Sequence, residues 1–220
     1  MSLQENKLIP IDKLLKNFEN ESLKPQVILL TCGSYIPIHN FHIEIFEIAK
    51  EYLEKEKNYK VVLGYISPSQ ETYIIQKKYL KEKISLTDRI EMIKLVTNES
   101  SWIDITTWEV LSPKNNKEVI SYHHVVKEIF KYLKKNEQIK QSLKERQLKL
   151  IYLCGLDQVS KKERTGLKHL EKFEIAIIER YLNDKNEDKD WKDYCKEKFK
   201  EMYKEDKVIL NGKKCAIPKL

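Results

Sequence analysis

The chain has 220 residues, a formal net charge of +7 and a hydrophobic content of 41%. That length suits one α/β domain with a proper core, and no apolar run is long and uncharged enough to cross a membrane. The first residues do not form a basic-then-apolar secretory leader, and the four cysteines have no paired spacing, so we expect a cytoplasmic or nuclear protein.

The excess positive charge comes from lysines that are interleaved with glutamates along predicted helices, as in residues 50–57 and 196–207. Such interleaving is typical of solvated helix faces, so the charge is weak evidence about partners. It is compatible with phosphorylated ligands. We predict no nucleic-acid partner and no membrane partner.

The predicted elements begin with a short segment before the first strand. Ile11, Leu14, Leu15 and Phe18 share one helical face, which favours a helix that docks on the domain; a flexible leader is the alternative. Residues 27–32 then form an apolar and β-branched run, which is typical of a strand buried on both faces.

A glycine and a proline follow this strand. Gly33 has no Cβ, so we expect the backbone to bend sharply there and a ligand to approach the amides closely. Pro37 fixes the loop before the next element. From His42 onward apolar residues fall at helical spacing, so His39 and His42 lie in or just before a first helical turn. Unpaired N–H groups and the positive dipole end favour anions there, which predicts a phosphate site.

Two alternatives exist for the histidine pair. The pair caps the helix, or it binds zinc. Zinc would need further ligands, and the other histidines, His123, His124 and His169, have no characteristic spacing to this pair. We therefore assign no metal ligand.

The rest of the chain alternates between predicted strands and helices. Strands are predicted at residues 59–66, 102–106, 148–153, 173–178 and 208–210. One helix starts at Ser85 with Ile90, Ile93 and Val96 buried, and another covers residues 117–134 with Val119 among its inward residues. This alternation predicts an α/β fold with a Rossmann-like, doubly wound parallel sheet of about five to six strands.

The same pattern divides the chain into three parts. Residues 1–25 form an N-terminal helical leader, residues 26–180 the core domain, and residues 181–220 a charged helical segment. Residues 69–76 and 135–147 are polar and are predicted as exposed loops.

The loop after the first strand reads Gly-Ser-x-x-Pro-x-His-x-x-His over residues 33–42, which resembles the signature of the nucleotidyltransferase superfamily. The usual tetrad is His or Thr, any residue, Gly, His. Phe41 stands in place of that glycine, as is common in the eukaryotic branch of the nicotinamide mononucleotide adenylyltransferases. Ser67-Pro68, Thr-Trp-Glu at residues 107–109 and Cys-Gly-Leu-Asp at residues 154–157 also resemble motifs of that branch.

The resemblance implies a nucleotidyltransferase that transfers AMP from ATP to nicotinamide or nicotinate mononucleotide, forming NAD or its deamido form and pyrophosphate, with Mg2+ accompanying ATP. It implies His42 and His39 as catalytic residues. The implied nucleotide-binding residues are Gly33, Ser34, Tyr35, Gly155 and Asp157, and the implied mononucleotide-binding residues are Lys77, Trp108 and Glu109. Tyr73 and Arg180 match further family positions. A homo-oligomer is compatible with the sequence.

Several of these assignments have alternatives. Lys78 fits the lysine position as well as Lys77, because this loop is about two residues longer than in relatives. Trp108 is a packed aromatic residue at a strand end in the alternative interpretation, and Asp157 is a helix cap.

The chain also departs from the family. Asn115-Asn116 stand where relatives carry a tryptophan that stacks on the nicotinamide ring, and residues 181–220 contain no Ile-Ser-Ser-Thr segment. Either the chain is truncated or it differs from its family at a catalytic position. The rival hypotheses are a weakly active or non-catalytic nucleotide-binding protein of the same fold, and a related transferase that uses another phosphorylated acceptor.

Overall fold

The computed structural model describes residues 7–18, 23–75, 84–112, 119–155, 170 and 172–178, together with the backbone of residues 208–210. The described helices are α1 (Asp12–Asn17), α2 (Asn40–Glu56), α3 (Glu71–Ile75), α4 (Leu86–Asn98), α5 (Trp108–Leu111), α6 (Tyr122–Lys135) and α7 (Glu137–Leu143). The described strands are β1 (Gln26–Gly33), β2 (Lys60–Pro68), β3 (Ile103–Ile105), β4 (Leu148–Gly155), β5 (Glu174–Ile178) and β6 (Val208–Leu210).

The strands form one six-stranded sheet with the order β3-β2-β1-β4-β5-β6. Every neighbouring pair is parallel. The chain adds strands outward from β1 in one direction and then, from β4 on, in the other, which is the order of a Rossmann sheet. The predicted α/β fold and its five to six parallel strands are confirmed.

Helices cover both faces of this sheet. One apolar cluster joins the sheet to α1, α6 and α7 through residues such as Leu14, Val126 and Ile139. The other joins the opposite face to α2 and α4 through Phe46 and Ile93. Parallel strands need this double cover because their side chains are apolar on both sides, and the predicted doubly wound arrangement is confirmed.

Helix α1 docks against the amino-terminal ends of the neighbouring strands. Leu14 is completely buried, and the Lys13 ammonium donates to the carbonyl oxygens of Thr97 and Ile103, each at 2.7 Å. The Asn17 amide donates to two further carbonyl oxygens, at 3.1 Å each. The docked helix is thus the interpretation that the structure supports, and the flexible leader is wrong for these residues.

Two stretches predicted as exposed loops contain helices. Helix α3 lies within residues 69–76, and α7 lies within residues 135–147. The Asn136 side chain caps α7 by accepting the Ile139 N–H at 3.2 Å, and Ile139 is buried in the core. A cap and one buried apolar residue suffice for this short helix, and its lysine-rich exposed face hid it in the sequence.

Two valines predicted to be buried are exposed instead. Val96 is 37% exposed and Val119 is 39% exposed. Val119 precedes the first residue of α6, so it has no helical face. In α4 the buried row runs through Arg89, Ile93 and Thr97, every fourth residue, and Val96 lies beside that row.

The sheet continues beyond residue 180, because β6 pairs with β5 from Ala176 opposite Val208 to Ile178 opposite Leu210. The short strand predicted at residues 208–210 is confirmed, and it makes the sheet extend past the predicted boundary of the core domain at residue 180. Among the described helices, none is both long enough and apolar enough to cross a bilayer.

Substitution of Gly64 by alanine should destabilise the packing of α2 against the sheet. A Cβ at this position of β2 would lie 2.7 Å from a ring carbon of Phe46 and 3.3 Å from one of Trp102. Such overpacking typically costs about 1–3 kcal/mol. We expect a loss of that size in the free energy of unfolding, measured by urea denaturation.

The control is the same substitution in a Phe46→Leu background, which removes the ring carbons that the new methyl group meets. There the additional cost of Gly64→Ala should shrink by about half or more, since contacting residues are not additive. An equal cost in both backgrounds would contradict this packing.

Candidate active site

The carboxyl ends of β1 and β4 lie side by side at the centre of the sheet. Leu30 is opposite Tyr152, and each strand runs three residues further to a glycine, Gly33 in β1 and Gly155 in β4. The strand order reverses between these two strands, and open α/β sheets bind their ligands in the crevice at that point. Two of the predicted nucleotide-binding glycines therefore meet there.

The turn after β1 bends at Tyr35 instead of at Gly33. Tyr35 has a φ of 49°, and none of the described glycines has a positive φ. A Cβ on Gly33 would lie 3.0 Å from the Tyr35 ring. The expectation that Gly33 makes the bend is wrong; its missing side chain leaves room for the buried Tyr35 ring.

The two histidines stand at the start of α2, as predicted. His39 is the residue just before the helix, and its N–H donates to Nδ1 of His42 at 3.1 Å. The two rings stack with centroids 3.7 Å apart, and the Tyr35 ring meets His42 edge-on at 5.0 Å. Because Nδ1 accepts a hydrogen bond, the proton of a neutral His42 lies on Nε2. Nδ1 thus orients the His42 ring, and the N–H at Nε2 is the hydrogen-bond donor of a neutral ring.

The helix-capping interpretation of the pair is also correct, since the bond between His39 and His42 closes the first turn of α2. Within the described part of the chain, no three or more His, Cys, Asp or Glu side chains are grouped to hold a metal ion. Capping and anion binding are compatible, because the cap uses Nδ1 and leaves the Nε2 proton as a donor.

A second loop, residues 67–70, which comprises the last two residues of β2 and the two after it, is fixed to the first. The Ser69 N–H donates to the Gly33 carbonyl at 2.8 Å. One Arg89 nitrogen, Nη1, donates to the Ser34 carbonyl at 3.0 Å and to the Ser69 carbonyl at 2.9 Å. Burial lowers the pKa of Arg89, and the opposing charges of Glu71 and Glu109 limit the decrease.

Sequence reasoning missed Arg89. It lies in the first turns of a charged helix, where an arginine is usually solvated. The signal that could have found it is its position one helical step of four residues before Ile93, which the same reasoning assigned to the buried face.

Glu109 lies beneath the second loop. It is 3% exposed, its Oε2 accepts from the Ser67 hydroxyl at 3.1 Å, and its Oε1 accepts from the Gln70 N–H at 3.2 Å. Burial raises the pKa of Glu109 to about 8, against the effects of these two hydrogen bonds and of the Arg89 charge. At neutral pH the carboxyl group is mostly protonated and supports the loop.

Trp108 occupies the core. Its side chain is buried in the cluster that contains α6, and its ring lies 6.0 Å from that of His124. This burial fits the interpretation of a packed aromatic residue. Tyr73 is half-buried in α3. The remaining predicted site residues, Lys77 with its alternative Lys78, Asp157 and Arg180, lie outside the described residues.

A parallel sheet of this order, with a histidine-initiated helix at its switch point, has the architecture of the nucleotide-binding α/β proteins. The chain belongs to the cytidylyltransferase-like family, whose model matches residues 30–208. The match begins within β1, contains β2 to β5 and ends at the first residue of β6.

The chain is also similar to named proteins. It is 40% identical over 104 residues to nicotinamide/nicotinic acid mononucleotide adenylyltransferase 1 of Bos taurus, a stretch that is 46% of this chain and 35% of that protein. It is 40% identical over 92 residues to nicotinamide-nucleotide adenylyltransferase of Drosophila melanogaster, 42% of this chain and 22% of that protein. The matched stretches are thus about a third or less of each relative's length.

Among solved structures, that of Plasmodium falciparum nicotinic acid mononucleotide adenylyltransferase complexed with APC is similar with a TM-score of 0.49 and 16% identity. That similarity covers 88% of this chain and 76% of the other.

The stability of the fold should depend on the ionisation of Glu109. Its pKa rises from 4.5 to about 8 on folding, so the folded chain holds a proton that the unfolded chain has released between these values. The contribution of protonated Glu109 to the free energy of unfolding is complete below pH 4.5 and is lost as the pH rises to about 8. Glu109→Gln is neutral throughout; its side-chain oxygen still accepts from the Gln70 N–H, and its amide N–H donates to the Ser67 hydroxyl, which then acts as the acceptor. We expect the variant to be more stable than the wild type by about 1–3 kcal/mol near pH 9.

The measurement is urea denaturation at several pH values between about 4.5 and 9. Glu99→Gln is the matched control, because Glu99 is an exposed residue at the end of α4. The control should follow the wild-type curve. If Glu109→Gln also followed it, Glu109 would not be protonated in the fold.

Proposed function

We propose that the protein transfers AMP from ATP to nicotinamide or nicotinate mononucleotide, forming NAD or its deamido form and releasing pyrophosphate. The observation that carries this proposal is the placement of His42, which lies in the first turn of α2 beside the end of β1 and whose Nδ1 accepts a hydrogen bond from the His39 N–H. The names of the Bos taurus and Drosophila melanogaster relatives supply the acceptor class.

In the proposed reaction an oxygen of the mononucleotide phosphate attacks the α-phosphorus of ATP. The bond from that phosphorus to the bridging oxygen breaks, and pyrophosphate leaves with the electron pair. His42 donates from Nε2 to an α-phosphate oxygen as negative charge grows there, and the amino end of α2 adds its positive dipole. His39 acts by orientation, since its N–H and its stacked ring hold the His42 imidazole in place.

The other predicted residues keep their proposed roles. Gly33, Ser34 and Tyr35 supply the backbone around the phosphates, and Gly155 allows the adenosine to approach β4. In this proposal Asp157 accepts hydrogen bonds from the ribose and Lys77 holds the attacking phosphate, while Tyr73 and Arg180 are further family positions with no assigned contact. The burial of Trp108 and Glu109 supports an indirect role for these two, which position the 67–70 loop and the adjoining core.

Mg2+ belongs to the proposal as the ion that accompanies ATP and offsets the charge of the polyphosphate. Among the described residues no carboxylate or imidazole cluster fits the ion, so we assign it no protein ligand. Our proposal includes the cytoplasm or nucleus as the location and no nucleic-acid partner, and it is compatible with a homo-oligomer.

The direct test is a coupled assay that measures NAD formation by the purified chain from ATP and nicotinamide mononucleotide. Nicotinate mononucleotide and phosphopantetheine are run in parallel as acceptors, with pyrophosphate release as the readout, because neither of them yields NAD. Product with either pyridine mononucleotide, and none with phosphopantetheine, supports the proposal. ATP binding without any product would favour a nucleotide-binding protein without turnover, and product only with phosphopantetheine would identify a different transferase.

His42→Ala should reduce kcat by about a hundredfold or more, because it removes a donor that acts on the charge of the transition state. KM should change little, since the same donor contributes less to the ground state. The fold should survive, because a half-buried residue in the first turn of α2 contributes little to the core. Steady-state kinetics with thermal denaturation would measure both effects.

His124→Ala is the matched control, since it removes an exposed imidazole from α6 without touching the loop after β1. It should retain the wild-type kcat. A folded His42→Ala chain with unchanged kcat would remove His42 from the mechanism.

A further inference from the structure

Arg89 is a buried cation at the base of the candidate site. Its side chain is fully buried, and its Nη1 contacts carbonyl oxygens of both loops, Ser34 at 3.0 Å and Ser69 at 2.9 Å. Its Nε and Nη2 have no hydrogen-bond partner within the described part of the chain. A buried guanidinium with unused donors lowers stability. A residue with that cost is better explained by what it does to the two loops than by its contribution to the fold.

The hydrogen bonds of the two loops determine which way the backbone amides after β1 point. The Gly33 carbonyl accepts from the Ser69 N–H at 2.8 Å, and the next carbonyl, that of Ser34, accepts from Arg89. The C=O and N–H of a planar trans peptide point in opposite directions. The N–H groups of Ser34 and Tyr35 are therefore both directed away from the second loop and from Arg89.

Two successive N–H groups of this kind form an anion-binding concavity when the chain turns through a left-handed residue. Tyr35 has that conformation, with a φ of 49°. A charged donor on the Ser34 carbonyl also polarises the Ser34–Tyr35 peptide, which makes its N–H a stronger donor. Arg89 thus affects both the direction and the strength of the amide that precedes the histidine pair.

The charge of Arg89 is only partly offset by its surroundings. Among the described residues, the acidic groups that act on it are Glu71 and Glu109. Glu109 is buried, and its carboxyl group is mostly protonated at neutral pH. Glu71 is exposed to solvent, which screens its charge. The base of the loop therefore remains electropositive.

We propose that Arg89 is a positioning residue for nucleotide phosphate: it holds the Ser34–Tyr35 peptide so that two consecutive backbone N–H groups face a phosphate group. The identification of that phosphate as part of ATP rests on the proposed function. Arg89 itself acts through the peptide and makes no contact with the ligand.

The test compares MgATP binding by calorimetry for the wild type, Arg89→Gln and Arg89→Lys. Arg89→Gln should weaken binding by about tenfold or more, because hydrogen bonds to a charged phosphate lose their alignment. Arg89→Lys should recover part of the affinity, because an ammonium group can donate to the same two carbonyl oxygens. The amide proton resonances of Ser34 and Tyr35 should shift on MgATP addition in the wild type and shift less in Arg89→Gln.

Lys13→Gln is the matched control. Lys13 also donates to two backbone carbonyl oxygens from separate elements, Thr97 and Ile103, but at the other end of the sheet. The control should lose stability and keep the wild-type affinity for MgATP. If both variants lost affinity equally, Arg89 would be merely structural and our inference would be wrong.

Other outcomes also decide the inference. An unchanged affinity of folded Arg89→Gln for MgATP overturns it. The inference is also overturned if the amide proton resonances of Ser34 and Tyr35 do not shift when MgATP is added to the wild type. That second measurement does not require the variant to fold. Product formation is measured separately, so a wild-type chain that binds MgATP through these amides but makes neither NAD nor its deamido form refutes the proposed function and supports the role of Arg89.

Discussion

The pairing of β1 with a parallel strand on each side is the constraint on which the rest of the structure depends. β1 is hydrogen-bonded to β2 and to β4, and helices cover both of its faces. A shift of one residue would exchange the side chains that meet these two faces, so the register is fixed. The loop after β1 therefore starts at a fixed point, and the two histidines of α2 take their position from it.

The charges around that loop have a consistent pattern. A guanidinium, that of Arg89, lies under the loop, while the buried carboxyl group among the described residues, that of Glu109, is mostly neutral at pH 7. A buried anion in this place would repel phosphate. Burial thus removes negative charge from the base of the site while its hydrogen bonds keep the loops together.

The parts of the site that follow from local pattern could be predicted from the sequence. The apolar run of β1 and the helical spacing after His42 determined where the histidine pair would lie, because both depend on short-range periodicity. The role of Glu109 could not be predicted in the same way. Its environment is created by Ser67 and Gln70, about forty residues earlier in the chain, and a motif match gives no information about burial.

The bend after β1 is a second feature that the local sequence pattern does not predict. A glycine is the usual residue for an unusual backbone angle, so Gly33 was the natural choice. The structure uses Tyr35 instead, since the aromatic ring can lie over the glycine and remain buried. The identity of the bending residue depends on packing between neighbours, which composition does not reveal.

The contacts of α1 have a consequence for the order in which the protein folds. Lys13 is among the first described residues to leave the ribosome, yet its two carbonyl acceptors are 84 and 90 residues further along the chain. These two hydrogen bonds can therefore form only after α4 and β3 have been synthesised, while β1 and β2 can pair earlier. A helix that precedes the whole sheet in the sequence thus completes its hydrogen bonds only when the sheet's edge strand is present.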